Sequence, residues 1–396
     1  MKHPLISPAG LMAGLFLMTA FPVLAAPVDF VVYGKSSVTM GSGAVVPVNA
    51  AIGSGGSITI NQNGELGGEN NELALAGGGA YTGGSGTTYV GDIIFSGSIN
   101  LAQNTKVYGN VYSGGAVSLG NNAMVTGNVV ASGSISMGNG SQVGGDVHAG
   151  GSVSAGNNAK ITGTAAAGGS VALGNNASAG SIANGAPAPT PPAPATAIIP
   201  NLTAFSAGGA NHSVGNNGSL ALDVGSYGTL TVGNNGTVML TSGTYYFDSL
   251  SFAQNSVLKL DLSNGGITIN IVGDLWAGSN FEIALLGGDP FDVLFEVHGD
   301  VTIAQNAVWE GTLLATSGTV SFGQNADISG AIFGDVVTIG QNSTFSYAPS
   351  PRLFLTDNSG SSGGSGGIMR ISAPGSLAGL LLGMMALAAV RRARWA

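Results

Sequence analysis

Apolar and small polar residues alternate along most of this chain, in short runs that restart at a fixed interval. Ile99-Asn100-Leu101, Val117-Ser118-Leu119, Ile135-Ser136-Met137, Val153-Ser154-Ala155 and Val171-Ala172-Leu173 begin 18 residues apart each time. Alternation places residues i and i+2 on one face of a strand. Ile99 and Leu101 therefore face inward and Asn100 outward, with further inward positions at Val107, Val111, Val125 and Val129. Self-similarity at a fixed period is the signature of a stacked repeat. Eighteen residues make one coil of a three-sided β-helix, at about six residues a side. The predicted fold class is all-β: a β-helix (solenoid) of ~18-residue coils, with an N-terminal signal helix and a C-terminal transmembrane helix.

Each run leads into a turn such as Gly120-Asn121-Asn122 or Gly156-Asn157-Asn158. Asn tolerates the left-handed conformation, and its amide can bond the stacked copy in the next coil. Gly109, Gly127, Gly145 and Gly163 recur at one phase, which predicts a corner of positive φ. The same signature returns at Leu230-Thr231-Val232, Leu250-Ser251-Phe252, Val301-Thr302-Ile303, Val320-Ser321-Phe322 and Val337-Thr338-Ile339, now with variable spacing. Those later coils also hold most of the aromatic bulk.

These patterns divide the chain. Residues 1–25 read as a signal peptide: Lys2 and His3, an apolar run over 11–21, then Val23-Leu24-Ala25 with cleavage after Ala25. Residues 26–98 are irregular coils, with Val38-Thr39-Met40 and Ile58-Thr59-Ile60 as degenerate repeats, and are expected to cap one end. Residues 99–185 are the regular repeats and 186–200 a Pro-rich linker or a loop thrown out from the stack. Residues 201–350 form a second solenoid block, and 351–372 a Gly/Ser linker. Residues 373–396 end the chain as a sorting anchor: Ala373-Pro374-Gly375, an apolar stretch, then Arg391, Arg392 and Arg394. The segment 371–390, about 30 Å long as a helix, is enough to cross a bilayer, with the arginines left on the cytoplasmic side.

Composition narrows the function. Charged residues are 7 % of the chain, while apolar residues reach 44 %, so a core can form without a charged surface. Four of the ten basic residues lie in the two terminal segments; six remain against nineteen acids. Nucleic-acid binding needs a basic footprint and is excluded. With no Cys, disulfides and thiolate metal sites are excluded as well.

Polysaccharide lyases and hydrolases built on β-helices need clustered carboxylates beside Lys or Arg, and here the cations are scattered. The densest acidic group, Asp289, Asp292, Glu296 and Asp300, matches no calcium-loop spacing. His148, His212 and His298 lack metal-ligand spacing. No catalytic, metal or cofactor site is predicted, and the chain is read as non-enzymatic. What remains is an outward row beside the Asn turn: Asn100, Ser118, Ser136, Ser154 and Ala172, then Thr231, Ser251, Thr302, Ser321 and Thr338. Ser118, Ser136, Ser154, Thr302 and Thr338 are the candidate ligand face.

Three resemblances attach to these residues. The tripartite tail resembles the PEP-CTERM sorting signal, with Ala373-Pro374-Gly375 in place of Pro-Glu-Pro. That resemblance implies retention in the inner membrane, processing by an exosortase-type enzyme, and release to the cell surface or medium. The 99–182 block resembles bactofilin-type polymer-forming repeats, which are cytoplasmic. The 220–347 block is similar to the ice-binding-like β-solenoid family, at Ser242-Gly243-Thr244-Tyr245-Tyr246-Phe247, Asp292 to Gly299, and Trp309-Glu310-Gly311-Thr312-Leu313-Leu314-Ala315. That family usually packs a long helix beside its solenoid, and no segment between 27 and 370 has a helical period. The predicted function is a structural surface or extracellular-matrix protein, possible partners being a second copy or exopolysaccharide. The alternative is an ice- or polysaccharide-binding module that uses the Ser/Thr/Asn row.

Overall fold

The structure, a computed structural model, describes residues 30–46, 51–67, 73–195, 197, 199 and 202–347. The signal peptide, its cleavage site at Ala25 and the C-terminal sorting segment lie outside the described residues. Within them, forty short parallel strands and one 3-10 turn, Pro290–Asp292, form a single β-solenoid. Among the described residues no helix is long and apolar enough to cross a membrane.

One coil illustrates the construction. Strands Val117–Leu119, Met124–Val125 and Val129–Ala131 each pair with the strand 18 residues later, in register: Ser118 with Ser136, Val125 with Val143, Val130 with His148. Val107, Val111, Val125 and Val129 are all fully buried, as alternation predicts. In the second block the coil length rises from 18 to 26 residues and falls back to 17, as the rung partners His212, Leu230, Leu250, Leu275, Val301, Val320 and Val337 show. Longer sides enclose a wider interior, and close packing requires larger side chains to fill it. Phe252 meets Phe281 at 4.9 Å, and Trp309 meets Phe295 at 4.6 Å and Phe322 at 5.6 Å between ring centroids.

Stack order departs from chain order. Strand Phe30–Met40 pairs with Ala51–Ser54 and Ser57–Ile60 on one side and with Ile332–Ile339 on the other. The N-terminal coils, expected to cap an end, therefore lie in the middle. From Phe30, the first described residue, the chain coils outward to Ser178–Asn184, returns along the outside, and restarts at His212–Val214. It then coils back until Ile332–Ile339 docks on the first strand. The two blocks make one continuous stack.

The returning segment is the Pro-rich stretch, neither a free linker nor a helix but an extended strap on one face. Ala195, Ala197, Ile199 and Leu202 pack over Phe30, Tyr33, Ala76, Leu314 and Phe333. Further along, the Pro187 carbonyl lies 2.9 Å from His148 Nε2. Thr203 donates its backbone N–H and its hydroxyl (2.8 Å) to buried Glu296, and Phe205 packs on His298 with centroids 4.3 Å apart. Pro suits this place, since a strap that joins no sheet has no ladder bond to lose.

Positive φ falls elsewhere than at the predicted glycines. Within the Asn turn it falls on the second Asn, from Asn63 to Asn342, with φ between 53° and 59°, and on Gly43, Gly86 and Gly140 at the same phase; at other corners it falls on glycines such as Gly91, Gly311 and Gly330. Gly109, Gly127, Gly145 and Gly163 have no positive φ. They are glycines because coils touch at that corner: a Cβ on Gly127 would sit 2.6 Å from the Gly109 carbonyl oxygen.

Candidate functional site: a hydroxyl ladder

The strands that precede the Asn turn form one face of the stack. Each is three residues deep at this position, so one side chain per coil points out. From one end the outward rungs are Ala172, Ser154, Ser136, Ser118 and Asn100, then Thr82, Thr59 and Thr39. Across the junction they continue as Thr338, Ser321, Thr302, Trp276, Ser251, Thr231 and Ser213. Twelve of these fifteen rungs carry a hydroxyl. At 4.7–4.9 Å per coil the ladder runs roughly 67 Å.

All five candidate residues, Ser118, Ser136, Ser154, Thr302 and Thr338, stand on this one ladder. Ser118, Ser136, Ser154 and Thr302 are exposed, and Thr338 is half-buried. The structure adds Thr39, Thr59 and Thr82, which bridge the two blocks, together with Trp276 and Ser213. Thr82 was hidden because its strand, Tyr81–Gly83, replaces the aliphatic pair with Tyr and Gly. The turn that follows it, Gly84-Ser85-Gly86, carries the signal instead.

The turn keeps the rungs in line. The first Asn of one coil accepts at Oδ1 from the backbone of the next: Asn139 N–H to Asn121 at 2.9 Å, Asn157 to Asn139 at 2.8 Å, Asn175 to Asn157 at 2.9 Å. In the second block the second Asn builds the ladder, Asn255 Nδ2 donating to Asn235 at 3.1 Å and Asn280 to Asn255 at 2.8 Å. Away from the two end coils the next residue is buried. Where it is Thr105, Ser141 or Ser256 its hydroxyl donates back to the carbonyl three residues earlier, at 2.8, 2.7 and 2.6 Å. These bonds fix turn phase and hence rung register. The register shifts in the stack fall at corners or on other faces, between Gly34 and Ser37 or Ile328 and Ser329 for example.

A Ser or Thr hydroxyl offers one donor and two acceptor lone pairs. A column of them on a rigid backbone presents a periodic array of both, with Thr methyls between. The ladder includes no titratable side chain. The strap face differs in kind: its outward positions run Val130, Tyr112, Ile94, Ala76, Gly53, Tyr33, Phe333 and Leu314, apolar where the strap covers them.

The other sequence candidates serve the fold. Glu296 holds the strap. Asp289 Oδ1 accepts from Phe291 N–H at 2.9 Å, and Asp300 Oδ1 from Thr319 N–H at 2.8 Å. His212 packs edge-on to Tyr227. Among the described residues no group of three or more His, Asp or Glu gathers where a metal would sit.

No family model matches the chain, and no curated protein matches it in sequence. Among solved structures it is similar to the crystal structure of an ice binding protein from an Antarctic bacterium, Flavobacteriaceae. The similarity covers 84 % of this chain and 100 % of that one, at 15 % identity and a TM-score of 0.26.

Proposed function

We propose that this protein is a non-enzymatic, exported β-solenoid whose hydroxyl ladder binds an ordered, repeating surface, with ice as the first ligand. The observation that carries the reading is the ladder itself. A periodic, uncharged array, rigid before contact, suits a periodic target and loses little entropy on binding. A small-molecule site would instead be concave and few-sided. The scatter of cations and the use of the acids as structural acceptors support a non-enzymatic role. Export and membrane sorting rest on residues 1–25 and 373–396 as read above.

The test uses the full chain in ice-recrystallisation and thermal-hysteresis assays. Thr39→Lys and Thr338→Lys place hydrated charges at mid-ladder and are expected to reduce activity at least about tenfold, which corresponds to 1.4 kcal/mol or more. Thr88→Lys, on another face, leaves it unchanged. An unmodified chain with no effect on ice growth removes the ice reading.

Trp276 favours a second reading. It stands on the ladder between Ser251 and Thr302 with 45 % of its surface exposed. A flat apolar ring flanked by hydroxyls suits a polysaccharide, whose sugar rings stack on aromatics. Cosedimentation with insoluble polysaccharide, lost in Trp276→Ala while ice activity is absent, would select it.

A further inference from the structure

We propose that this protein assembles head to tail through the two ends of its own solenoid, and that the partner is a second copy of this chain. Both ends are open. Val171–Leu173 and Ser178–Asn184 pair only inward, as do His212–Val214 and Ser219–Leu222 at the opposite end, among the described residues. Such edges present unpaired backbone groups, and solenoids normally block them with charge or a cap. Here residues 171–184 carry no charged side chain, and Asp223 is the lone acid in 212–226. Ile182 and Val224 are 50 % and 53 % exposed beside the two open core ends.

The ends match each other. Val171-Ala172-Leu173-Gly174-Asn175-Asn176-Ala177-Ser178 aligns residue for residue with His212-Ser213-Val214-Gly215-Asn216-Asn217-Gly218-Ser219. Within the stack, each second Asn donates its N–H to the first Asn carbonyl of the following coil, as Asn122 does to Asn139 and Asn158 to Asn175, both at 2.9 Å. By that rule the Asn176 N–H and the Asn175 Oδ1 both address Asn216 of a second copy. The molecule already makes such a junction internally. Asn342 N–H donates to the Ser42 carbonyl at 2.8 Å and Gly41 N–H to the Ile339 carbonyl at 2.7 Å, joining coils from opposite ends of the chain.

Gly215 is the independent sign. Interior glycines at its phase are crowded by the preceding coil: a Cβ on Gly174 would meet Asn157, and one on Gly233 would meet Asn216, each within 2.8 Å. At Gly215 nothing lies within 4 Å, because no coil among the described residues precedes it. The docked copy supplies it. Gly185 and Gly209, where the strap leaves each end, also have open space, so both chains can pass. Asn184, whose Oδ1 accepts from Val171 N–H at 2.9 Å, swings aside. Because the joined patches differ, the contact does not close on itself and produces a polar filament.

The experiment is sedimentation velocity and electron microscopy on the purified full chain over a range of concentrations. The native chain is expected to form single-file filaments with an axial repeat of roughly 70 Å. Ala179→Glu blocks one end, and Gly215→Glu the other, where the described residues leave open space. Each variant alone is expected to stay monomeric, and a 1:1 mixture to form dimers and nothing longer. Circular dichroism identifies variants that keep the native strand signal; Leu173→Glu replaces Ala179→Glu if the latter loses it. A native chain monomeric at all concentrations overturns the proposal, as does self-association of either variant alone.

Discussion

At the residue scale the second Asn of each turn carries the argument. A non-Gly residue at φ near 57° costs about 1–2 kcal/mol unless its side chain is Asn or Asp. Asn122, at φ 56°, also donates its N–H to the Asn139 carbonyl at 2.9 Å. Asn122→Ala is expected to destabilise the protein by about 1–2 kcal/mol, and Asn122→Gly by a few tenths, since Gly140 holds the same phase. Urea midpoints at constant slope decide it. A second residue-level test is alkaline. Tyr81 and Tyr89 bond hydroxyl to hydroxyl in the core, and burial raises both above the usual phenol range. The unfolded phenols ionise near pH 10, while the folded pair stays neutral. Stability is therefore full below about pH 10 and falls as pH rises past it. Tyr81→Phe with Tyr89→Phe should flatten that fall in urea titrations carried out at rising pH. Asn was legible in the sequence because its chemistry suits a left-handed turn. Gly127 was misread because a glycine needed for close contact looks identical to one needed for positive φ.

At the element scale the strap explains what alternation leaves over. Tyr33, Ile94, Phe333 and Leu314 point outward yet present apolar surface, and strand periodicity alone gives no reason. Their partners are Ala195, Ala197, Ile199 and Leu202, apolar positions within and just beyond a segment that reads as a linker by its prolines. Nothing local joins two patterns more than a hundred residues apart, so the contact was not legible. Its latch is testable. Glu296→Ala removes the acceptor for Thr203 N–H and Oγ1. Hydrogen bonds to charged groups contribute about 1.5–3 kcal/mol. The expected result is faster hydrogen exchange and proteolysis near Thr203, with protection unchanged around Val125. Equal loosening of strap and core would contradict it.

At the scale of the molecule, the 18-residue period showed that coils stack but not which coils meet. A period reports neighbours along the chain; the junction of Ile332–Ile339 with Phe30–Met40 joins its two ends. The ladder was legible in halves for the same reason. Thr39, Thr59 and Thr82 close the gap and make the face continuous. Since no rung titrates or carries charge, surface binding is expected to vary less than about twofold between roughly pH 5 and pH 9 and between low and physiological salt. Strong salt dependence in the ice or polysaccharide assays would point to another face.

The continuity of that face is open to direct measurement. The chain has no Cys, so spin labels on Ser154→Cys and Ser251→Cys, placed in the monomeric Gly215→Glu background, report a single intramolecular distance by pulsed electron resonance. Eleven coil steps separate these rungs, which gives about 53 Å in one narrow peak. A short or broad distribution would mean that the two blocks fold as separate solenoids, and the hydroxyl ladder would not exist as one surface.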